Sequence, residues 1–152
     1  MKETKRTQKL FEDLYEGEPW IGVTLFDTLK RIPAEKAAKK IAPHWNSIWE
    51  ITNHIITWRL NVLERLHGNK MTTPDNNYFE SVTDTSKAAW KKTLKHLEES
   101  QQQWTSFLKI FNEKDFENIY SRNGLSYYEH IHGIIQHDAY HLGQIVLLAK
   151  DV

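Results

Sequence analysis

The chain has no cysteine among its 152 residues. That excludes disulfides, thiolate zinc sites and a nucleophilic thiol of the protein's own, and it suits a reducing cytoplasm. It also has no net charge, since 20 Lys and Arg balance 20 Asp and Glu. The basic footprint of a nucleic-acid binder is therefore missing. No apolar run approaches the roughly 20 residues that span a bilayer. The charged start, Met1-Lys2-Glu3-Thr4-Lys5-Arg6, leads into no apolar signal core. These absences predict a cytoplasmic protein with neither a membrane nor a nucleic acid as partner. There is no internal repeat, no low-complexity linker and no sustained period-two alternation, so strands are not expected. No Gly-rich phosphate loop or Ser/His/Asp order stands out.

What is present is aromatic and helical. Six Trp, six Tyr and six Phe can fill a core or line an apolar pocket. Residues 4–16 read as a helix with Leu10, Phe11 and Leu14 on one side. Gly17-Glu18-Pro19 interrupts it, and Pro suits the first turn of a new helix over 20–31. Residues 34–41 read as one or two short turns. Ser47 and Glu50 form a capping-box pattern that opens a helix over 47–67. Residues 68–83 read as loop, and Asp84 or Ser86 caps a third long helix to about Phe111. Residues 112–125 read as a polar connection. Ser126 with Glu129 repeats the capping box and opens a last helix to about Lys150. Four long helices with polar connections predict one all-α domain over residues 1–152, built as a four-helix bundle.

The sharpest pattern lies in the last helix. His137 and His141 are four residues apart, which puts two imidazoles on one face, one turn apart. At about 100° per residue, His130, Ile134, His137, His141, Gln144 and Leu148 form one stripe at the edge of the apolar face. His132 falls off the stripe and is expected at the surface. In the 47–67 helix, His54 shares a stripe with Ile51, Trp58 and Asn61 and also looks inward. Two readings of these three histidines stand side by side. They are core imidazoles satisfied by hydrogen bonds, or they hold one divalent ion, which would satisfy three buried lone pairs at once.

His137-Asp138-x-x-His141 also imitates the H-E-x-x-H zinc-protease motif. Asp is one methylene shorter than the Glu of that motif. None of the 11 residues after His141 is a His or Glu that could serve as the downstream ligand. A third ligand has to come from upstream.

His137-Asp138-Ala139-Tyr140-His141-Leu142-Gly143-Gln144-Ile145 resembles the last-helix signature of the DinB/YfiT-like superfamily: a histidine, three residues, then His-x-Gly-Gln-Ile. Ser47-Ile48-Trp49-Glu50-Ile51-Thr52-Asn53-His54-Ile55 resembles its second-helix signature, where Ser-Ile opens a helix carrying a lone His. The resemblance implies a four-helix bundle with a three-histidine site for one divalent transition metal, usually nickel or zinc. It assigns His54, His137 and His141 as ligands, with one position left for water or substrate. It also implies that Gly143 lets a neighbouring helix approach closely. Relatives often dimerise, so a homodimer is expected.

Activity in this family spans thiol S-transfer with bacillithiol, mycothiol or glutathione, mycothiol-dependent isomerisation, and hydrolysis. The chain carries no appended domain of the kind some mycothiol-using relatives have, which favours a stand-alone branch. Three functions follow for a small-molecule substrate. S-transfer, with a low-molecular-weight thiol held as thiolate, suits a protein lacking sulfur nucleophiles. Hydrolysis needs a base, for which Asp138 and Glu50 are candidates. A non-catalytic, metal-stabilised bundle is the third. Gln144 is a candidate to orient a ligand or substrate. Trp45, Trp49 and Trp58 are candidates for pocket walls or core. Arg59 and Arg65 are candidates to anchor a carboxylate or to be solvated helix charges.

Overall fold

A computed structural model covers residues 1–152 and is all-helical, with no strands. Its α-helices are α1 (Glu3–Glu16), α2 (Leu25–Leu29), α3 (Ala34–Ala38), α4 (Ile48–Leu66), α5 (Lys87–Ile110) and α6 (Tyr127–Leu148). A 3-10 turn, Glu113–Glu117, breaks the α5–α6 connection. The four long helices close a ring: α1 packs on α5 and α6, and α4 packs on α5 and α6. No helix is long and apolar enough to cross a membrane.

The helix starts follow from the sequence. Ser47 accepts from the Glu50 amide, and the Glu50 carboxylate accepts from the Ser47 amide at 2.7 Å. Ser126 and Glu129 do the same at α6. Each such cap is worth about 1 kcal/mol against Ala. Ser86, and not Asp84, caps α5. The expected helix over 20–31 shrinks to Leu25–Leu29, because Gly22 takes a left-handed φ of 71° and Trp20 stands fully in solvent. Leu10 is also exposed. The buried stripe of α1 runs through Thr4, Thr7, Phe11 and Leu14, and Leu10 lies off it.

Two apolar clusters make the core. One gathers Leu14, Leu25, Ile48, Ile55, Leu97, Leu142 and Ile145. The other gathers Phe11, Val62, Leu66, Trp104, Leu108, Ile131 and Ile134. A fully buried aliphatic side chain contributes about 1.5–3 kcal/mol, so each cluster is a substantial source of stability. Tryptophan N–H groups tie the helices together: Trp104 donates to the Arg59 carbonyl, Trp49 to Thr93 and Trp90 to the Ile32 carbonyl. Between the clusters, at the middle of α4, α5 and α6, the buried residues turn polar. Arg59, Ser100, Gln101 and Asp138 lie there, and the three histidines lie beside them.

Candidate metal centre

His54 projects from the middle of α4, and His137 and His141 from successive turns of α6. The packing of α4 on α6 brings the three rings together. Nε2 of His54 lies 3.0 Å from Nε2 of His137, and the His137 and His141 ring centroids are 4.4 Å apart. One nitrogen from each ring falls within 4.8 Å of the other two. His54 and His141 are buried, and His137 is half-buried.

The far side of each ring decides what the near side offers. His54 Nδ1 lies 2.8 Å from the Asn77 carbonyl, which can only accept, so Nδ1 carries the hydrogen. His141 Nδ1 lies 2.6 Å from Gln144 Oε1, while Gln144 Nε2 donates to the Tyr140 hydroxyl and fixes the amide's orientation. His137 Nδ1 faces Asp138 Oδ1 at a longer 3.5 Å. Two close acceptors thus set the tautomers of His54 and His141, and one nitrogen of each of the three rings lies near those of the other two. Ring nitrogens 3.0 Å apart need a hydrogen or a cation between them, and a neutral His137 with its hydrogen on Nε2 or a bound metal ion would each supply one. A further proton on His54 is disfavoured. Burial first, and then the charges of His141 and His137, push the His54 pKa down to about 4. Burial likewise lowers that of His141. The donor set, three neutral imidazoles with oriented Nδ1–H groups, fits a divalent transition metal.

The rings are held from several sides. Phe79 stacks flat on His54, with centroids 3.9 Å apart and planes 7° from parallel. Trp58 lies across the edges of His54 and His137 and donates to Asn77 Oδ1. Asn77 and Tyr78 both hold left-handed φ angles, 51° and 62°, which non-glycine residues seldom adopt. Their segment is fastened where Asn77 accepts from His54 and Tyr78 accepts from Asn61. Neither clamp carries a local sequence signal, and the 68–83 segment reads only as loop.

A cavity of about 370 Å³ adjoins the cluster, lined among others by Trp45, Ile51, Phe79, Gln144 and Leu148. Of the tryptophans considered as walls, Trp45 lines this cavity, Trp58 abuts the histidines and Trp49 is core.

Asp138 points away from the cavity into the polar layer. Its Oδ2 accepts from Arg59 Nε at 2.6 Å, with both side chains fully buried. Arg59 Nη1 also donates to Gln101 and Ser100. Glu50 is held by its capping box and by Lys40 Nζ at 3.1 Å. Gly143 corrects an expectation: it is exposed, and a Cβ there would meet nothing within 4 Å, so no helix approaches it. His132 is half-buried against Tyr128, on which Phe116 of the 113–117 turn also packs, instead of lying at the surface.

A profile of the DinB superfamily matches residues 23–145, most of the chain. No curated protein matches it. A solved structure, described as the crystal structure of the conserved protein of locus from Enterococcus faecalis, is similar in fold. It is 17% identical, with 97% of this chain and 95% of that one covered and a TM-score of 0.70.

Proposed function

Because the chain belongs to the DinB superfamily, we propose that residues 1–152 form one domain, a four-helix bundle whose His54, His137 and His141 hold one divalent transition metal, nickel or zinc. The activity we assign is transfer of a low-molecular-weight thiol to a small electrophile. The observation that carries the metal assignment is the meeting of one nitrogen from each of three rings within 4.8 Å, with Nδ1 of His54 and of His141 held by the Asn77 carbonyl and Gln144. An ion held by these residues would supply Lewis acidity and lower the pKa of a thiol or water bound to it.

This chain's own side chains do the rest. Gln144 and the Asn77 carbonyl hold the rings of His141 and His54 in place. Phe79 and Ile51 shape an apolar wall for the electrophile and limit water beside it. Asp138 and Glu50, the two carboxylates considered as bases for hydrolysis, are already paired with Arg59 and with Lys40. Neither lines the cavity beside the histidines, so neither is placed there as a base, and that favours S-transfer over hydrolysis. The test is direct. Elemental analysis should find one metal per chain in the wild type and none in His141→Ala. Metal-loaded protein should then conjugate a chlorinated aromatic electrophile with one of glutathione, bacillithiol or mycothiol. Metal-replete protein inert with every thiol would sink the transferase reading, and wild type that binds no metal would sink the metal centre.

A further inference from the structure

Helix α4 carries a second buried arginine that differs from Arg59. Arg65 keeps only 9% of its surface exposed, yet it pairs with no carboxylate. Its Nε donates to Asn61 Oδ1 at 2.8 Å, and neither Nη group donates to any protein atom. Its Nη groups, unlike Nη2 of Arg59, are not sealed from solvent. The guanidinium carbon lies near two aromatic rings, 5.2 Å from the Trp58 centroid and 5.4 Å from that of Tyr120.

The surrounding polar groups are all engaged elsewhere. Asn61 Nδ2 donates to the Tyr78 hydroxyl, and the Tyr120 hydroxyl accepts from the Met71 amide. His130 contacts the Ser126 carbonyl through Nδ1 and Asn123 through Nε2. The two Nη groups of Arg65 are therefore the open donors of this cluster, and its positive charge is uncompensated. Two rings flank the guanidinium, and its Nη edge keeps some access to solvent. That edge offers parallel N–H groups at the spacing of a carboxylate's two oxygens. Trp58 is the wall shared with the histidines: one of its neighbours is Arg65, and others are His54 and His137.

We propose that the Arg65 edge, walled by Trp58 and Tyr120, is a binding subsite for the carboxylate of a small organic acid. A ligand seated there lies one indole away from the histidine cluster. The further step, that this carboxylate belongs to the thiol or electrophile handled at the histidines, rests on the function proposed above. The subsite itself does not.

The probe is phenylacetate, with phenylacetamide as its uncharged counterpart, titrated into metal-free full-length protein and followed by NMR of the Arg65 Nε–H and the Trp58 indole. Phenylacetate should shift both signals saturably and bind about tenfold or more tightly than the amide. Arg65→Gln should remove that difference, and Arg65→Lys, which keeps the charge but not the fork, should lose most of it. His141→Ala should leave binding intact, so failure of the metal centre cannot imitate failure here. Equal response of wild type to acid and amide overturns the subsite, and that comparison stands even if the variants fail to fold. Phosphate binding at these signals more tightly than phenylacetate would overturn the carboxylate assignment.

Discussion

His137 and Asp138 are neighbours on α6, yet they face two buried polar regions of opposite kind. On one side, Asp138 and Arg59 meet at 2.6 Å with Gln101 and Ser100 around them. Charge answers charge, and most donors have acceptors within the protein. On the other side, three imidazoles bring one nitrogen each within 4.8 Å of the others, and His54 Nε2 meets His137 Nε2 at 3.0 Å with no counter-charge among them. Both regions are buried at the same level of the fold. Burial alone therefore does not separate structure from site. The separation comes from whether the protein satisfies its own polar groups. Arg59, with Asp138 as counter-charge and only Nη2 left without a partner, belongs to the fold, while the histidine cluster and Arg65 are the regions we propose for ligands.

The largest expected effect tests the closed side. Asp138→Ala leaves the Arg59 guanidinium buried without a counter-charge and should cost about 3–5 kcal/mol in denaturant unfolding. Replacing both partners, Arg59→Met with Asp138→Leu, should recover most of that loss. His54→Ala in metal-free protein should cost less than half as much as Asp138→Ala. Equal losses from Asp138→Ala and His54→Ala would erase the distinction between the two regions.

The next effect tests the open side. Zinc or nickel at 100 times its Kd should stabilise the protein by about 2.7 kcal/mol, by mass action on the folded state. Thermal melts with and without chelator would show it. The increment should vanish in His54→Ala, His137→Ala and His141→Ala. A variant lacking His137 that is stabilised as much as wild type would break the three-ligand arrangement.

A smaller effect lies one bond further out. Gln144→Leu removes the acceptor that orients His141 and should lower metal affinity about 10–100-fold, measured by chelator competition. The metal-free melting temperature should barely move, since Gln144 is half-buried and near the surface. Unchanged affinity would show that the His141 ring needs no such anchor.

How much of this was legible beforehand depended on the range of the interaction. The capping boxes at Ser47 and Ser126 and the spacing of His137 and His141 are local patterns, and the structure shows each of them. The inward aim of His54 was readable from its helix, but its meeting with the pair, 83 residues on, came only with the family resemblance. The sequence offers Asp138 only as a candidate base for hydrolysis. Its partner Arg59 lies 79 residues away and leaves no trace in local spacing. The Asn77 carbonyl that fixes His54 is a backbone atom in a loop, and backbone atoms carry no residue signature. Gly143 misled for the same reason: the signature contains it, but the sequence does not say what it faces.

The subtlest difference between the regions is their response to acid. Burial and the neighbouring imidazoles hold the His54 pKa at about 4, against 6.5 for an ordinary histidine. Between those values the unfolded chain binds a proton that the folded chain refuses. Stability must therefore rise with pH across that window. The contribution is fully present above pH 6.5 and is lost as pH falls toward 4. His141, lowered for the same first cause, acts in the same direction. Metal-free wild type should thus melt at a lower temperature at pH 5 than at pH 7, and His54→Ala should lose part of that difference. Bound metal should widen it, because protons compete for the same lone pairs. The same slope in wild type and His54→Ala would place the acid sensitivity outside the histidine cluster.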